Sequence, residues 1–116
     1  ERLLRLLTET ETGAARLRAG LPEGWSVAHK TGTGSDLRGV SLGTNDVGVI
    51  RAPDGQRWAV AVFIAGTTAA PADREARIAD VARAVVASHR ARSTSASIHR
   101  AKASTLGARS SGKTRR

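Results

Sequence analysis

Leu3, Leu4 and Leu7 stand at helical spacing and Gly13 follows as a stop signal, so the first stretch reads as a short helix, with no capping residue ahead of Glu1. Beyond it the period changes. Residues 25–33 and 44–50 read as strands, Pro53-Asp54-Gly55 as a turn, and 58–65 as a third strand forming an antiparallel hairpin with the second. The run Trp58-Ala-Val-Ala-Val-Phe-Ile-Ala65 is apolar at both parities, which predicts a central strand covered on both faces. Pro71 then opens a helix with Asp73 and Glu75 in its first turn, and Ile78, Val81, Ala82 and Val85 make one apolar stripe for the sheet. The expected class is α/β of the α+β sandwich type, antiparallel strands with flanking helices. One packing helix and one short leading helix leave a sheet face without cover, so residues 1–88 read as the C-terminal portion of a larger domain.

Composition divides this picture in two. The chain has 116 residues and a formal net charge of +9. Residues 1–88 hold eleven Lys/Arg against ten Asp/Glu, whereas residues 89–116 hold eight Lys/Arg and no acid. In that second stretch Ile98 and Leu106 are the only large apolar residues, too few to offset the entropy of ordering it by burial, and the expectation is a disordered basic tail. An aromatic content of 3% predicts a small core. The absence of cysteine excludes a disulfide framework, a thiolate metal site and a cysteine nucleophile. No apolar run reaches the roughly 20 residues of a membrane span, and Glu1-Arg2-Leu3-Leu4-Arg5 is not a signal peptide, so neither a membrane partner nor an address is expected.

Candidate chemistry lies on the first strand, in Lys30-Thr31-Gly32, where strand alternation points Thr31 away from Lys30 and Gly32. Three residues alone are a weak signal, but their order among others is not. Arg16-Leu-Arg-Ala-Gly-Leu-Pro22, Trp25, His29-Lys-Thr-Gly-Thr33, Thr44-Asn-Asp46, Pro53-Asp-Gly55 and the apolar strand together resemble, over about 75 residues, the C-terminal part of class A serine β-lactamases. The His before Lys-Thr-Gly and the Thr-Asn-Asp after it look like the branch that includes extended-spectrum enzymes.

The resemblance implies hydrolysis of a β-lactam through an acyl-enzyme, with the Lys-Thr-Gly strand as one wall of the site and no cofactor. In this reading Lys30 supplies positive charge toward the substrate carboxylate and the serine of a neighbouring Ser-Asp-Asn loop. Thr31 offers its hydroxyl to the same carboxylate, and Gly32 lets the substrate lie against backbone. The amide N–H of Thr33 is one of two oxyanion donors. A guanidinium completes the carboxylate site; Arg16 matches a family position for it and is favoured, while Arg38, in a loop longer than in most relatives, is the alternative and Arg18 is structural. The family resemblance also implies a periplasmic or secreted location.

The remaining machinery is not in residues 1–88: the family's Ser-x-x-Lys, its Ser-Asp-Asn and its deacylating glutamate are missing in the required order. This segment therefore reads as a substrate-binding wall without its nucleophile, inactive alone, whose partner is the N-terminal part of the domain. Ser110-Ser-Gly-Lys113 spells the nucleophile motif at the wrong end of the chain. Gly107-Ala-Arg-Ser-Ser-Gly-Lys-Thr114 fits the phosphate-loop pattern without the preceding strand and following helix that the pattern needs, so no nucleotide is expected. His29 reads as a packing or hydrogen-bonding residue, Asp46 as a brace at the strand entry, Trp25 and Trp58 as core or near-core, and His89 and His99 as lacking metal partners. The second reading is a small non-enzymatic protein whose basic tail binds nucleic acid or an anionic surface, without base specificity because it lacks aromatic residues.

Overall fold

The computed structural model describes residues 1–110, with side chains as far as Gly107. The chain divides into two compact units, Glu1–Val86 and Ala87–Arg116. Helix α1 (Arg2–Thr8) and a 3-10 turn (Leu17–Gly20) lead into strand β1 (Ser26–Thr33). A small hairpin of β2 (Asp36–Leu37) and β3 (Val40–Ser41) precedes β4 (Thr44–Arg51) and β5 (Arg57–Ile64), and helix α2 runs over Pro71–Ser110. The main sheet is antiparallel in the order β1-β4-β5.

Register sorts the side chains onto two faces. Val27↔Ile50↔Trp58 and His29↔Gly48↔Val60 are aligned across the sheet, so these residues share one face with Thr31, Asp46 and Val62. The stripe of α2 covers that face. Leu17, Val27, Ile50, Ile78 and Ala82 form the buried cluster, with Trp25, Trp58, Val60 and Ile64 packed around it. Leu17, Ile50 and Ile78 are wholly excluded from solvent, which is worth about 1.5–3 kcal/mol for each side chain. Trp25 and Trp58 stack with ring centroids 5.7 Å apart, closing the cluster beside the turn at Pro53. Gly20 permits the close approach of the 3-10 turn to α2, since a Cβ there would collide with the Ala79 carbonyl.

The opposite face carries Ala28, Lys30, Gly32, Asn45, Val47, Ala59, Ala61 and Phe63. Helix α1 packs beside β1 on this side, leaving a cleft of about 240 Å³ between Leu4, Thr8, Ala28 and Val49. The cover is slight: α1 buries none of its residues, and Phe63 is 71% exposed.

Two expectations need correction. The strand at 58–65 is an edge of the sheet, not its centre; β4 is central, and only alternate residues of β5 meet the core. Apolar residues at both parities report a cover that the described residues do not supply. The expectation of disorder over 89–116 is also wrong as far as Ser110, where α2 continues. No glycine or proline interrupts residues 72–106, and alanine and arginine are strong helix formers. Extending a helix already begun avoids the nucleation cost, so tertiary burial is not required. Residues 111–116 lie outside the described part.

Candidate substrate-binding site

Strand β1 is an edge strand, and its C-terminal half is where the expected wall falls. Gly34 N–H donates to Gly43 O at 2.8 Å, toward β4. Successive N–H groups of an extended strand point to alternate sides, so Thr33 N–H points to the open edge. Lys30 is exposed on the face shared with Gly32, and its Nζ donates to Thr31 O at 2.8 Å. Thr31 lies on the other face, its Oγ1 3.1 Å from Thr12 Oγ1 in the segment before the 3-10 turn. A Cβ on Gly32 would come 2.7 Å from both Nδ2 and Oδ1 of Asn45. The close approach that demands glycine at this position is made by Asn45.

Arg16 is brought to the same end of β1, but as a buried residue. Its Nη1 donates to Gly32 O at 3.0 Å and to Asn45 O at 2.7 Å, joining the carbonyls of β1 and β4. Its Nη2 donates to Thr33 Oγ1, and its Nε faces Glu75 Oε1 at 3.4 Å. With only 6% of its surface exposed, Arg16 is a braced cation behind Thr33. Thr33 Oγ1, having accepted that bond, keeps its own proton to donate elsewhere. Arg38 is placed differently: with φ of +50° it occupies the two-residue turn joining β2 and β3, exposed and followed by Gly39 at +77°. The paired positive φ values suit a tight hairpin connection.

Two polar clusters hold this end of the sheet in place. His29 Nδ1–H donates toward both Asp46 carboxylate oxygens at 2.8 Å, and Asp46 Oδ2 also accepts Leu17 N–H at 3.2 Å. Both side chains are fully buried. The pair is the brace expected of Asp46 and the hydrogen bond expected of His29. His29 Nε2 is buried without a partner among the described residues.

The second cluster is centred on Arg74. Arg74, 3% exposed on the first turn of α2, reaches Asp36 on the hairpin, Ser41 Oγ at 2.6 Å and Thr44 Oγ1 at 3.1 Å. A signal for it was present: Arg74 stands four residues before Ile78, on the helical stripe that faces the sheet, and a cation there must find buried acceptors. Glu75, an acid of the first turn of α2, pairs with Arg16 and adds a second tie between α2 and the end of β1.

Among the described residues there is no cluster of three or more metal-ligating side chains, and no helix long and apolar enough to cross a membrane. Gly107 to Ser110 belong to α2 rather than to a loop. The rest of the phosphate-loop pattern and of Ser110-x-x-Lys113 lies outside the described residues.

The chain has counterparts among known proteins. The profile of the β-lactamase enzyme family matches residues 1–89. Extended-spectrum β-lactamase PER-1 of Pseudomonas aeruginosa is 45% identical over 80 residues, covering 69% of this chain and 26% of that protein. Beta-lactamase VEB-1, also of Pseudomonas aeruginosa, is 42% identical over 79 residues, with 68% and 26% covered. Among solved structures, a class A β-lactamase reconstructed as the last common ancestor of Gram-negative bacteria superposes with a TM-score of 0.65 at 42% identity, over 74% of this chain and 31% of that one. Fold and sequence define a class A type of β-lactamase architecture. The chain belongs to the β-lactamase enzyme family, and it spans about 26% of the length of these curated relatives.

Proposed function

We propose that this chain supplies the Lys-Thr-Gly wall of a serine β-lactamase site, and that the nucleophile comes from the N-terminal part of such a domain. The observation that carries this reading is the end of β1, where one N–H on an open edge, one hydroxyl backed by a buried guanidinium and, on the opposite face of the strand, one exposed ammonium lie within four residues. The substrate is a β-lactam. Its carboxylate meets the hydroxyls of Thr31 and Thr33 and the charge of Lys30. Arg16 acts through Thr33: by donating to Thr33 Oγ1 it directs that hydroxyl's proton outward, and its positive charge lies behind the anion.

When the serine attacks the lactam carbonyl, the tetrahedral intermediate carries an oxyanion. Thr33 N–H, fixed by the strand, stabilises it together with the nucleophile's own N–H; a donor of this kind is worth about 10²–10³ in rate. The C–N bond of the ring opens to the acyl-enzyme, which water then hydrolyses. The family resemblance supports a periplasmic or secreted location for this activity.

The test is a chimera in which residues 1–88 replace the homologous segment of a class A relative, assayed with a chromogenic cephalosporin. Turnover is expected in the chimera and is expected to be lost with Lys30→Ala. The chain alone is expected to give no turnover. Turnover by the isolated chain that Lys30→Ala abolishes, or a folded chimera whose activity ignores Lys30, would overturn the reading.

A further inference from the structure

We propose that residues 87–110 form an arm that binds duplex nucleic acid through its phosphates, independently of base sequence and of the β-lactamase reading. The segment is helical, and residues 90–107 are all exposed. Within 90–107 it carries Arg90, Arg92, Arg100 and Lys102, and there is no acidic residue in 89–116. No intrahelical ion pair can therefore consume these cations.

At about 100° per residue Arg90, Arg92, Arg100 and Lys102 fall at about 0°, 200°, 280° and 120°, so the cations surround the helix. Arg90 and Arg92 are two residues apart, as are Arg100 and Lys102, so each pair places its members about 200° apart on opposite flanks of the helix. The two pairs are separated by ten residues, about 15 Å along the axis, and the second is rotated by about 80° from the first, so each flank of the helix meets a cation at a different height. A helix lying in the major groove, about 12 Å wide, has phosphates on both walls and requires cations on both flanks. The side chains between them are short: Ala91, Ser93, Ser95, Ala96, Ser97 and Ala101 keep the helix slim.

Apart from its basic side chains, the same segment is poorly equipped to read bases. Ser93, Thr94, Ser97 and Thr105 donate their hydroxyls to the carbonyl four residues back, at 3.0–3.1 Å. Asn, Gln, Phe, Tyr and Trp are absent from it. A membrane surface is the less suitable polyanion, because an interfacial helix inserts a broad apolar face. Here Ile98 and Leu106 are the only large apolar side chains, with Arg100 and Lys102 between them.

The experiment uses the whole 116-residue chain and fluorescence anisotropy with two 20-base-pair duplexes, one AT-rich and one GC-rich, titrated between 50 and 200 mM salt. Four phosphate contacts contribute about −3.6 to the slope of log K against log salt, and alone weaken binding about 100-fold over that range. The variant Arg90→Gln/Arg92→Gln/Arg100→Gln/Lys102→Gln is expected to reduce the slope by about 3 to 4. The variant Arg90→Lys/Arg92→Lys/Arg100→Lys, which keeps charge, is expected to bind within a few-fold of the parent. The two duplexes are expected to bind equally within about twofold. The proposal is overturned by no measurable duplex binding, by an unchanged slope in the glutamine variant, by loss of binding in the lysine variant, or by a tenfold preference between duplexes. Tighter binding to phosphatidylglycerol vesicles at equal phosphate concentration would assign the arm to membranes instead.

Discussion

Arg74 on α2 holds Asp36 on the β2–β3 hairpin through two parallel bonds, Nη1 to Oδ1 at 3.1 Å and Nη2 to Oδ2 at 2.9 Å. The pair is asymmetric, since Arg74 is 3% exposed and Asp36 41%. Water therefore screens the carboxylate, while the guanidinium also serves Ser41 and Thr44 inside. Arg74→Met is expected to cost about 2–3 kcal/mol, the scale of losing hydrogen bonds to a charged group and leaving buried hydroxyls without their donor. Asp36→Asn is expected to cost less than half of that. Urea unfolding midpoints of the two variants check the order, and a costlier Asp36→Asn would contradict it.

The His29–Asp46 pair is buried on both sides, so removing one member is worse than removing both. Asp46→Ala strands His29 Nδ1–H and Leu17 N–H and is expected to cost about 3–5 kcal/mol. His29→Phe/Asp46→Leu leaves only the Leu17 amide unsatisfied. A thermal double-mutant cycle should find the double variant more stable than Asp46→Ala.

At Gly32 the obstacle to a side chain is Asn45, which can turn away. Gly32→Ala is expected to destabilise by about 1–3 kcal/mol through overpacking. Gly32→Ala/Asn45→Ser should recover most of that loss by denaturant unfolding. Failure to recover would mean that the strained partner is backbone.

Arg16 and Arg38 separate cleanly in the chimera. Arg16→Ala removes the donor to Thr33 Oγ1 and is expected to lower kcat/KM by about tenfold or more, at about 1.4 kcal/mol for each decade. Arg38→Ala, at an exposed hairpin turn, is expected to stay within a few-fold. Thr33→Val should mimic Arg16→Ala if the guanidinium acts through that hydroxyl. Steady-state kinetics with a penicillin and a cephalosporin decide between the two arginines.

Much of this arrangement is legible in local patterns. The three main strands lie within a residue or two of their expected bounds, because alternation and turn residues are properties of short stretches. The stripe Ile78, Ala82 and Val85 does pack on the sheet. Pairing across distance is less legible. Arg74 stands 38 residues from Asp36, and only the register of the hairpin brings them together. Strand order failed for a related reason: the composition of β5 records what covers the strand, not which strands flank it. The helix over 89–110 is not legible from burial, because a burial argument omits the intrinsic preference of alanine and arginine.

The open flank of β5 has a practical consequence. Every second N–H and C=O along Arg57–Ile64 faces outward, beside an uncovered Ala59, Ala61 and Phe63. Among those eight residues Arg57 is the single charge and proline is absent, so the usual guards of an exposed margin are nearly missing. At high concentration such a border recruits a strand from another molecule, and the isolated chain should lose monomer as it is concentrated, through cross-strand aggregation that begins at β5.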